Sequence, residues 1–361
     1  MKITILKFIL LIFFGLAVIL LGFIFQGKYL EKRINIQQNC RFKNKTEWRI
    51  LWYNIPSYLM DEFNYSKLQT HEKHRYFILT KDNNDLSRSD VVIFTHSTMG
   101  KIPPPKFKCQ IWVFNSMETP TFMINDYQKW NTSLDWLMSY RRDSDIYRPY
   151  GSLKKRSSLL VKNYTEVFQK KKYFGVWMSG HCPVPSRRKN YILDLKKYIQ
   201  VDMFGSCGSA VCLSRTPYLN ECLRNFSRDY KFYFAFENNI CKDYTTEKLF
   251  NVFLGNLDLI PVINGPKNVA EYIPNGTFIS TLDFSSPKAL ANKLKKIGSN
   301  ETLFIQYLKE KDKYIDIGAK EIFLQSMLQI FDKIIRTEGN TVRQNESINI
   351  NSFRIKKAVT C

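Results

Sequence analysis

The stretch that decides the fold runs from Tyr230 to Pro266 and reads YKFYFAFENNICKDYTTEKLFNVFLGNLDLIPVINGP. Tyr230 to Phe236 is aromatic and strand-like, and it stops at the polar pair Glu237 and Asn238. A short polar connection follows, with Asp243 and Thr245 as candidate helix caps. Leu249, Val252 and Phe253 then recur at helical spacing, and Gly255 is a candidate stop. Leu257 to Ile263 is a second apolar run, closed by Asn264-Gly265-Pro266. The pattern predicts a strand–helix–strand unit of parallel-sheet type.

Ligands of such units bind outside the carboxyl ends of the strands. That places Glu237, Asn238, Tyr244, Glu247 and Lys248 around one crevice. A cation such as Lys248 in the first turn of a helix opposes the dipole there, at a cost of roughly 0.3–1 kcal/mol. Free backbone N–H groups also point out of that end, so a bound anion would satisfy both. The spacing predicts a phosphate site; a solvated surface lysine fits the same spacing equally well.

Composition sets the frame. A chain of 361 residues can bury two cores of ordinary domain size. Its net charge of +22 is unaccompanied by zinc-finger spacing, a helix-turn-helix signal or an RNP motif, so no nucleic-acid partner is expected. An acidic small substrate suits that charge. Phe8 to Phe25 is an uncharged, nearly all apolar run preceded by Lys2 and Lys7. With the apolar residues from Ile3 it can span roughly 30 Å as a helix. Gln26-Gly27-Lys28 offers no small-residue cleavage site, so the run reads as a retained signal anchor. Lys28, Lys32 and Arg33 leave the positive-inside count nearly balanced. Acceptor sequons at Asn44, Asn64, Asn131, Asn163, Asn225, Asn275, Asn300 and Asn345 exceed the about three expected by chance and put the long C-terminal part in the lumen. Eight cysteines agree with an oxidising compartment, and Cys207 with Cys212 could close a small local disulfide. No cysteine pair has C-x-x-C spacing and histidine is scarce, so no structural metal is expected.

Along the chain, Arg49–Tyr53, Val91–Phe94 and Gln110–Phe114 read as strands. His96 reads as a polar strand end. Glu118, in Asn115-Ser116-Met117-Glu118-Thr119-Pro120, sits where a parallel sheet presents side chains to ligand, and a carboxylate there could take a proton from a sugar hydroxyl. Taken alone, Glu118 reads more plainly as a helix cap or a lysine partner. Asp143-Ser144-Asp145 has the D-x-D form of some metal sites, but Arg141 and Arg142 beside it could equally form ion pairs, and a metal is not expected. Lys154–Lys172 reads as a basic linker. Tyr173–Met178 starts a second sheet, Ile192, Leu193, Leu195 and Tyr198 give a helical face, and Val201–Phe204 is a strand. Arg187 and Arg188 lie at the strand-to-helix junction, where a guanidinium suits a diphosphate. Leu303–Leu308 and Ile322–Ile335 read as helices that close the second domain.

These segments resemble the α1,3-fucosyltransferases, glycosyltransferase family 10. FYFAFENNICKDYTTEKLFNVFLG is similar to the family's donor-binding pattern FYxxFENSxCxDYxTEKxxNAxxxGxVPVV, departing at Asn239 and at Asn256-Leu257-Asp258. Met117-Glu118-Thr119-Pro120 resembles M-E-S-P, and WLMSYRRDSDIYRPYG, residues 136–151, resembles W-T-x-S-Y-R-R-D-S-D-I-x-x-P-Y-G. Residues 177–208 resemble W-x-x-S-N-C…R-x-x-Y-x-x-x-L…V-D-x-Y-G-x-C-G, with Gly180 and His181 in place of Ser-Asn.

The resemblance implies a GT-B arrangement, two Rossmann-like α/β domains facing a cleft. The expected organisation is a cytoplasmic tail at 1–7, an anchor at 8–25 and a stem at 26–45. An acceptor-side domain at 46–165, a GDP-fucose-binding domain at 166–336 and a tail at 337–361 follow. It implies a type II Golgi enzyme, attached to the membrane by one helix, that moves L-fucose with inversion from GDP-β-L-fucose to N-acetylglucosamine of a glycoprotein glycan without a cofactor or metal. Glu118 would be the base. Alignment on Tyr191 makes Arg188 the diphosphate arginine, with Arg187 as the register alternative, and Lys248 shares that role. Glu247 and Tyr244 would hold ribose or guanine, and Asn238 and Tyr233 the fucose-phosphate region. The alternative is a non-catalytic luminal glycan- or nucleotide-binding protein of the same fold.

Overall fold

The computed structural model describes residues 47–65, 77–122, 128–130, 133–209 and 221–337. The expected anchor and stem, and the tail beyond residue 337, lie outside the described residues, as do Asn44, Asn131 and Asn345. Among the described residues no helix is long and apolar enough to cross a membrane.

The architecture is α/β, with two parallel sheets flanked by helices. The first sheet holds β1 (Trp48–Tyr53), β2 (Phe77–Thr80), β3 (Val91–Thr95), β4 (Ile111–Ser116), β5 (Trp136–Ser139) and β6 (Ile146–Tyr147). Their order is β2-β1-β3-β4-β5-β6, and every pair is parallel. After β7 (Leu153–Lys155) the second sheet holds β8 (Tyr173–Met178), β9 (Val201–Phe204), β10 (Tyr230–Phe236), β11 (Ile260–Asn264) and β12 (Ile279–Ser280). It is also parallel throughout, in the order β12-β11-β10-β8-β9.

Strand β10 shows why the deciding stretch is so apolar. Phe232, Phe234 and Phe236 point into one core, and Tyr233 and Ala235 into the core on the opposite face. A strand covered on both faces by helices needs apolar residues at consecutive positions rather than alternate ones. Each fully buried phenylalanine stabilises by roughly 1.5–3 kcal/mol relative to exposure.

The segment read as a basic linker contains more than a linker. It carries β7 and the helix Tyr164–Gln169, whose Asn163 cap accepts the Glu166 amide. Strand β7 pairs antiparallel with β13 (Tyr314–Asp316), so the two passages of chain between the sheets run side by side. Asp316 accepts the Ser152 amide at 2.7 Å and ties them together. A glycine serves each passage. A Cβ on Gly151 would lie 2.0 Å from the Phe250 ring, and Gly318 takes a left-handed φ of 85°.

The last helix, Ala319–Thr337, corrects the reading that placed Ile322–Ile335 over the second domain. Phe323, Leu324, Met327, Ile330, Phe331 and Ile334 pack with Trp48, Ile50, Trp52, Ile93 and Val113 of the first sheet. Phe323 stacks on Trp52 at 5.3 Å. In the helix Arg188–Leu195, Ile192 and Leu195 are buried as predicted, but Leu193 and, just beyond the helix, Tyr198 are exposed. Cys207 pairs with Cys182 rather than with Cys212, across a Cα separation of 5.9 Å. Cys109, Cys222 and Cys241 are disulfide-bonded as well.

Phe323→Ala should cost about 3–5 kcal/mol of stability by removing a buried ring from between the last helix and the first sheet. Urea denaturation followed by tryptophan fluorescence measures this. A loss under about 1 kcal/mol would mean that the helix is not seated there.

Candidate active site

In the second sheet, β8 leads to β9 on one side and β10 lies on its other side, so the strand order reverses between β8 and β10. A crevice opens beyond the carboxyl ends of two strands at such a point. The chain places Ser179 after β8 and Glu237 and Asn238 after β10, at those strand ends.

Glu237 is 2% exposed. Its carboxylate accepts the Thr246 amide at 2.8 Å and the Thr246 hydroxyl at 2.8 and 3.0 Å. Thr246, rather than Asp243 or Thr245, is the N-cap of the helix Glu247–Leu254. At the other end Gly255 is the C-cap with an ordinary φ of −86°, and Asn256 takes the left-handed turn at 53°. Lys248 Nζ donates to Glu247 Oε1 and Thr246 Oγ1, both at 2.9 Å, and lies 3.5 Å from Glu237. The opposed helix dipole that pointed to an external anion is thus answered from within by two carboxylates. Burial works against the charge of Lys248, but Glu247 and Glu237 outweigh it and hold its pKa above the ordinary lysine range. Burial raises the pKa of Glu237 despite Lys248 beside it.

Arg188 opens its helix and is 3% exposed. Its guanidinium donates to the Phe236 carbonyl at 2.7 Å, to Ser179 Oγ at 2.7 Å and to the His181 carbonyl at 3.1 Å. It therefore clamps the ends of β8 and β10 together. Ser179, one residue before Gly180-His181, supplies the hydroxyl at this junction. Two buried polar atoms here, Arg188 Nε and Asn238 Oδ1, have no hydrogen-bond partner among the described residues. Arg187 is exposed with φ 50° and lines, with Cys182, Pro183 and Lys189, a cavity of about 420 Å³. A larger cavity of about 660 Å³ by Asp61, Lys154 and Gly318 contains none of the candidate residues. Tyr233 is buried beneath the cluster, in the core with Leu249 and Val252.

Glu118 follows β4 in the first sheet and faces this cluster. Tyr244 donates to Glu118 Oε2 at 3.2 Å. It is buried and packs edge-on against Tyr140 and Tyr150. The position predicted to meet nucleotide thus meets the candidate base. Burial pushes the Tyr244 hydroxyl well above its ordinary range, so it stays a neutral donor. Burial likewise raises the pKa of Glu118, and the Tyr244 hydrogen bond and the Lys248 charge only partly offset it. Ser179, Thr246, Tyr140 and Tyr150 went unnoticed in the sequence, since each acts through a partner outside its own element: Arg188 for Ser179, Glu237 for Thr246, and Tyr244 for the two tyrosines. In the D-x-D triplet, Asp143 is held bidentately by Arg141 at 2.8 and 2.5 Å, and Asp145 accepts the Leu137 amide and pairs with Lys333. Among the described residues no group of three or more His, Cys, Asp or Glu could hold a metal ion. Asn64, Asn163, Asn225, Asn275 and Asn300 are all exposed.

Residues 45–151 match the fucosyltransferase N-terminal domain, and residues 168–342 match the glycosyltransferase family 10 (fucosyltransferase) C-terminal domain. The chain belongs to glycosyltransferase family 10. It is 32% identical over 241 residues to glycoprotein 3-alpha-L-fucosyltransferase A of Drosophila melanogaster, covering 64% of this chain and 46% of that one. It is 25% identical over 303 residues to alpha-(1,3)-fucosyltransferase C of the same organism, covering 78% of this chain and 69% of the relative. The match thus spans about half the length of the first relative. A solved α1,3-fucosyltransferase with GDP-fucose has the same fold at a TM-score of 0.51 and 18% identity, covering 80% of this chain and 92% of that chain. A further solved α1,3-fucosyltransferase structure gives 0.54 at 17% identity, covering 84% of this chain and 93% of that chain.

Glu237→Ala strips the Thr246 amide of its acceptor and Lys248 of one carboxylate. It should cost about 2–3 kcal/mol in urea denaturation. A neutral outcome would mean that the helix start is held by other contacts.

Proposed function

We propose that this family 10 chain is an inverting α1,3-fucosyltransferase that moves L-fucose from GDP-β-L-fucose to a hydroxyl of N-acetylglucosamine in a glycoprotein glycan. The observation that carries the reading is a pair of buried polar atoms with no partner among the described residues, Arg188 Nε and Asn238 Oδ1, at the strand-order reversal. A diphosphate oxygen and a sugar hydroxyl would supply what each lacks. The solved relative that carries GDP-fucose supports the same donor.

In this reading the two sheets form two Rossmann-like domains of GT-B type that face each other across the donor. The acceptor oxygen attacks the anomeric carbon, and the bond from that carbon to the β-phosphate oxygen breaks. GDP leaves with the electron pair, and the acceptor proton passes to Glu118. Arg188 and Lys248 stabilise the charge that grows on GDP, each by roughly 3 kcal/mol. Glu247 takes the ribose or guanine, Asn238 and Tyr233 border the fucose-phosphate region, and Tyr244 aligns the base. The apolar run at 8–25 is the anchor of a type II Golgi protein, and the exposed sequons are luminal glycosylation sites.

Three measurements test this. Lys248→Ala should lose GDP-fucose turnover at least about a hundredfold while staying folded; near-normal turnover counts against it. Glu118→Gln should keep GDP affinity and lose transfer. A base acts only when deprotonated, and burial raises the Glu118 pKa. The acid limb of kcat/KM against pH should therefore fall at a pH above the ordinary glutamate pKa. A limb at or below that value would remove Glu118 from the role.

A further inference from the structure

We propose that Asn239 is a positioning residue that latches the Glu118 loop of one half to the donor side of the other. The inference rests on Glu118 acting as the base. Asn239 is 5% exposed. Its Nδ2 donates to Oγ1 of Thr119 at 3.2 Å and to Oγ1 of Thr121 at 2.9 Å. Its Oδ1 accepts the Ile240 amide at 2.9 Å. That backbone N–H requires an acceptor, so it fixes the orientation of the side-chain amide and aims both amide hydrogens across the site.

Thr119 and Thr121 follow β4 of the first sheet, and Asn239 follows β10 of the second. Glu118 is thereby bracketed. Tyr150 donates to the Met117 carbonyl at 2.6 Å on one side, and Asn239 holds Thr119 on the other. Thr119 is fully buried, so water cannot replace the contact. A hydroxyl at position 239 would offer one donor on a shorter stem and could not hold both threonines. In-line transfer needs the reacting atoms within about 3–3.5 Å, and a misplacement of about 1 Å costs up to roughly a hundredfold. A latch one residue from the base controls that distance, and the donor contacts at Arg188 and Lys248 do not depend on it.

The test compares Asn239→Ser, Thr119→Val and Thr119→Ser with wild type. Asn239→Ser should lower kcat roughly ten- to hundredfold and leave the KM for GDP-fucose and the Kd for GDP little changed. Thr119→Val should reproduce the loss, and Thr119→Ser, which keeps the acceptor, should retain the rate. The Asn239→Ser/Thr119→Val double variant should lose no more than the worse single one. Hydrogen–deuterium exchange should quicken at residues 117–122 in Asn239→Ser and stay as in wild type elsewhere. A retained kcat, additive losses or unchanged exchange would overturn the latch. Wild-type protein that turns over no GDP-fucose would overturn the transferase reading instead, and the exchange measurement, which needs no substrate, still decides whether Asn239 holds the loop.

Discussion

The carboxylate of Glu237 is the constraint on which the second half of the molecule depends. Taking a carboxylate out of water costs several kcal/mol unless its oxygens are satisfied. Here the amide and hydroxyl of Thr246 satisfy them, at the positive end of the helix Glu247–Leu254. One group therefore joins the end of β10 to the start of the next helix. The loop between them has both ends fixed, and it carries Asn239 and Tyr244 to the first half.

Contacts of two kinds join the halves. The outer ones are polar. The Arg142 amide donates to Asp243, which Asn268 of the same half holds at 2.7 Å, and the Arg142 guanidinium pairs with Glu271 at 2.6 Å. The Arg142–Glu271 pair is exposed on both sides and is worth about 0–1 kcal/mol. The inner ones are mostly aromatic, with Tyr140, Cys241 and Tyr244 buried together, Met117 and Tyr150 packed against them, and the buried Asn239–Thr119 hydrogen bond joining the same two halves. The inner contacts exclude water around Glu118, so they govern its protonation, whereas the outer pair adds register more than energy.

Much of this was legible because parallel strands announce themselves. Strands β8, β9 and β10 match the predicted ranges residue for residue, since a short strand-forming run bounded by polar and turn residues is a local property of the sequence. The destination of the helix Ala319–Thr337 was not legible. Its apolar stripe demands a partner surface without specifying which, and the surface lies on the sheet that began some 270 residues earlier. The Cys182–Cys207 bridge, the Thr246 cap and the Tyr244–Glu118 contact failed for related reasons. Neighbouring residues of equal propensity, Asp243 and Thr245 among them, compete for each role, and only the tertiary structure chooses. The resemblance could carry Tyr244 to the right loop but not to its partner, Glu118, after β4 of the first sheet.

The charge balance of the site bears on how an anion would be received. Lys248 is already paired, yet its two carboxylates are not equivalent. The Glu237 side chain is buried and committed to Thr246, so it holds Lys248 charged and aimed before any donor arrives. Glu247 is 25% exposed and makes no other hydrogen bond from its carboxylate to a described side chain, so it alone can yield its place. In the proposed reaction a phosphate oxygen would replace Glu247 on Lys248 without unpairing a buried charge. The displaced carboxylate would then be free to accept hydroxyls of the nucleoside. Two adjacent residues would thus exchange an internal ion pair for two contacts to one ligand, and the buried partner, Glu237, would stay where it is throughout.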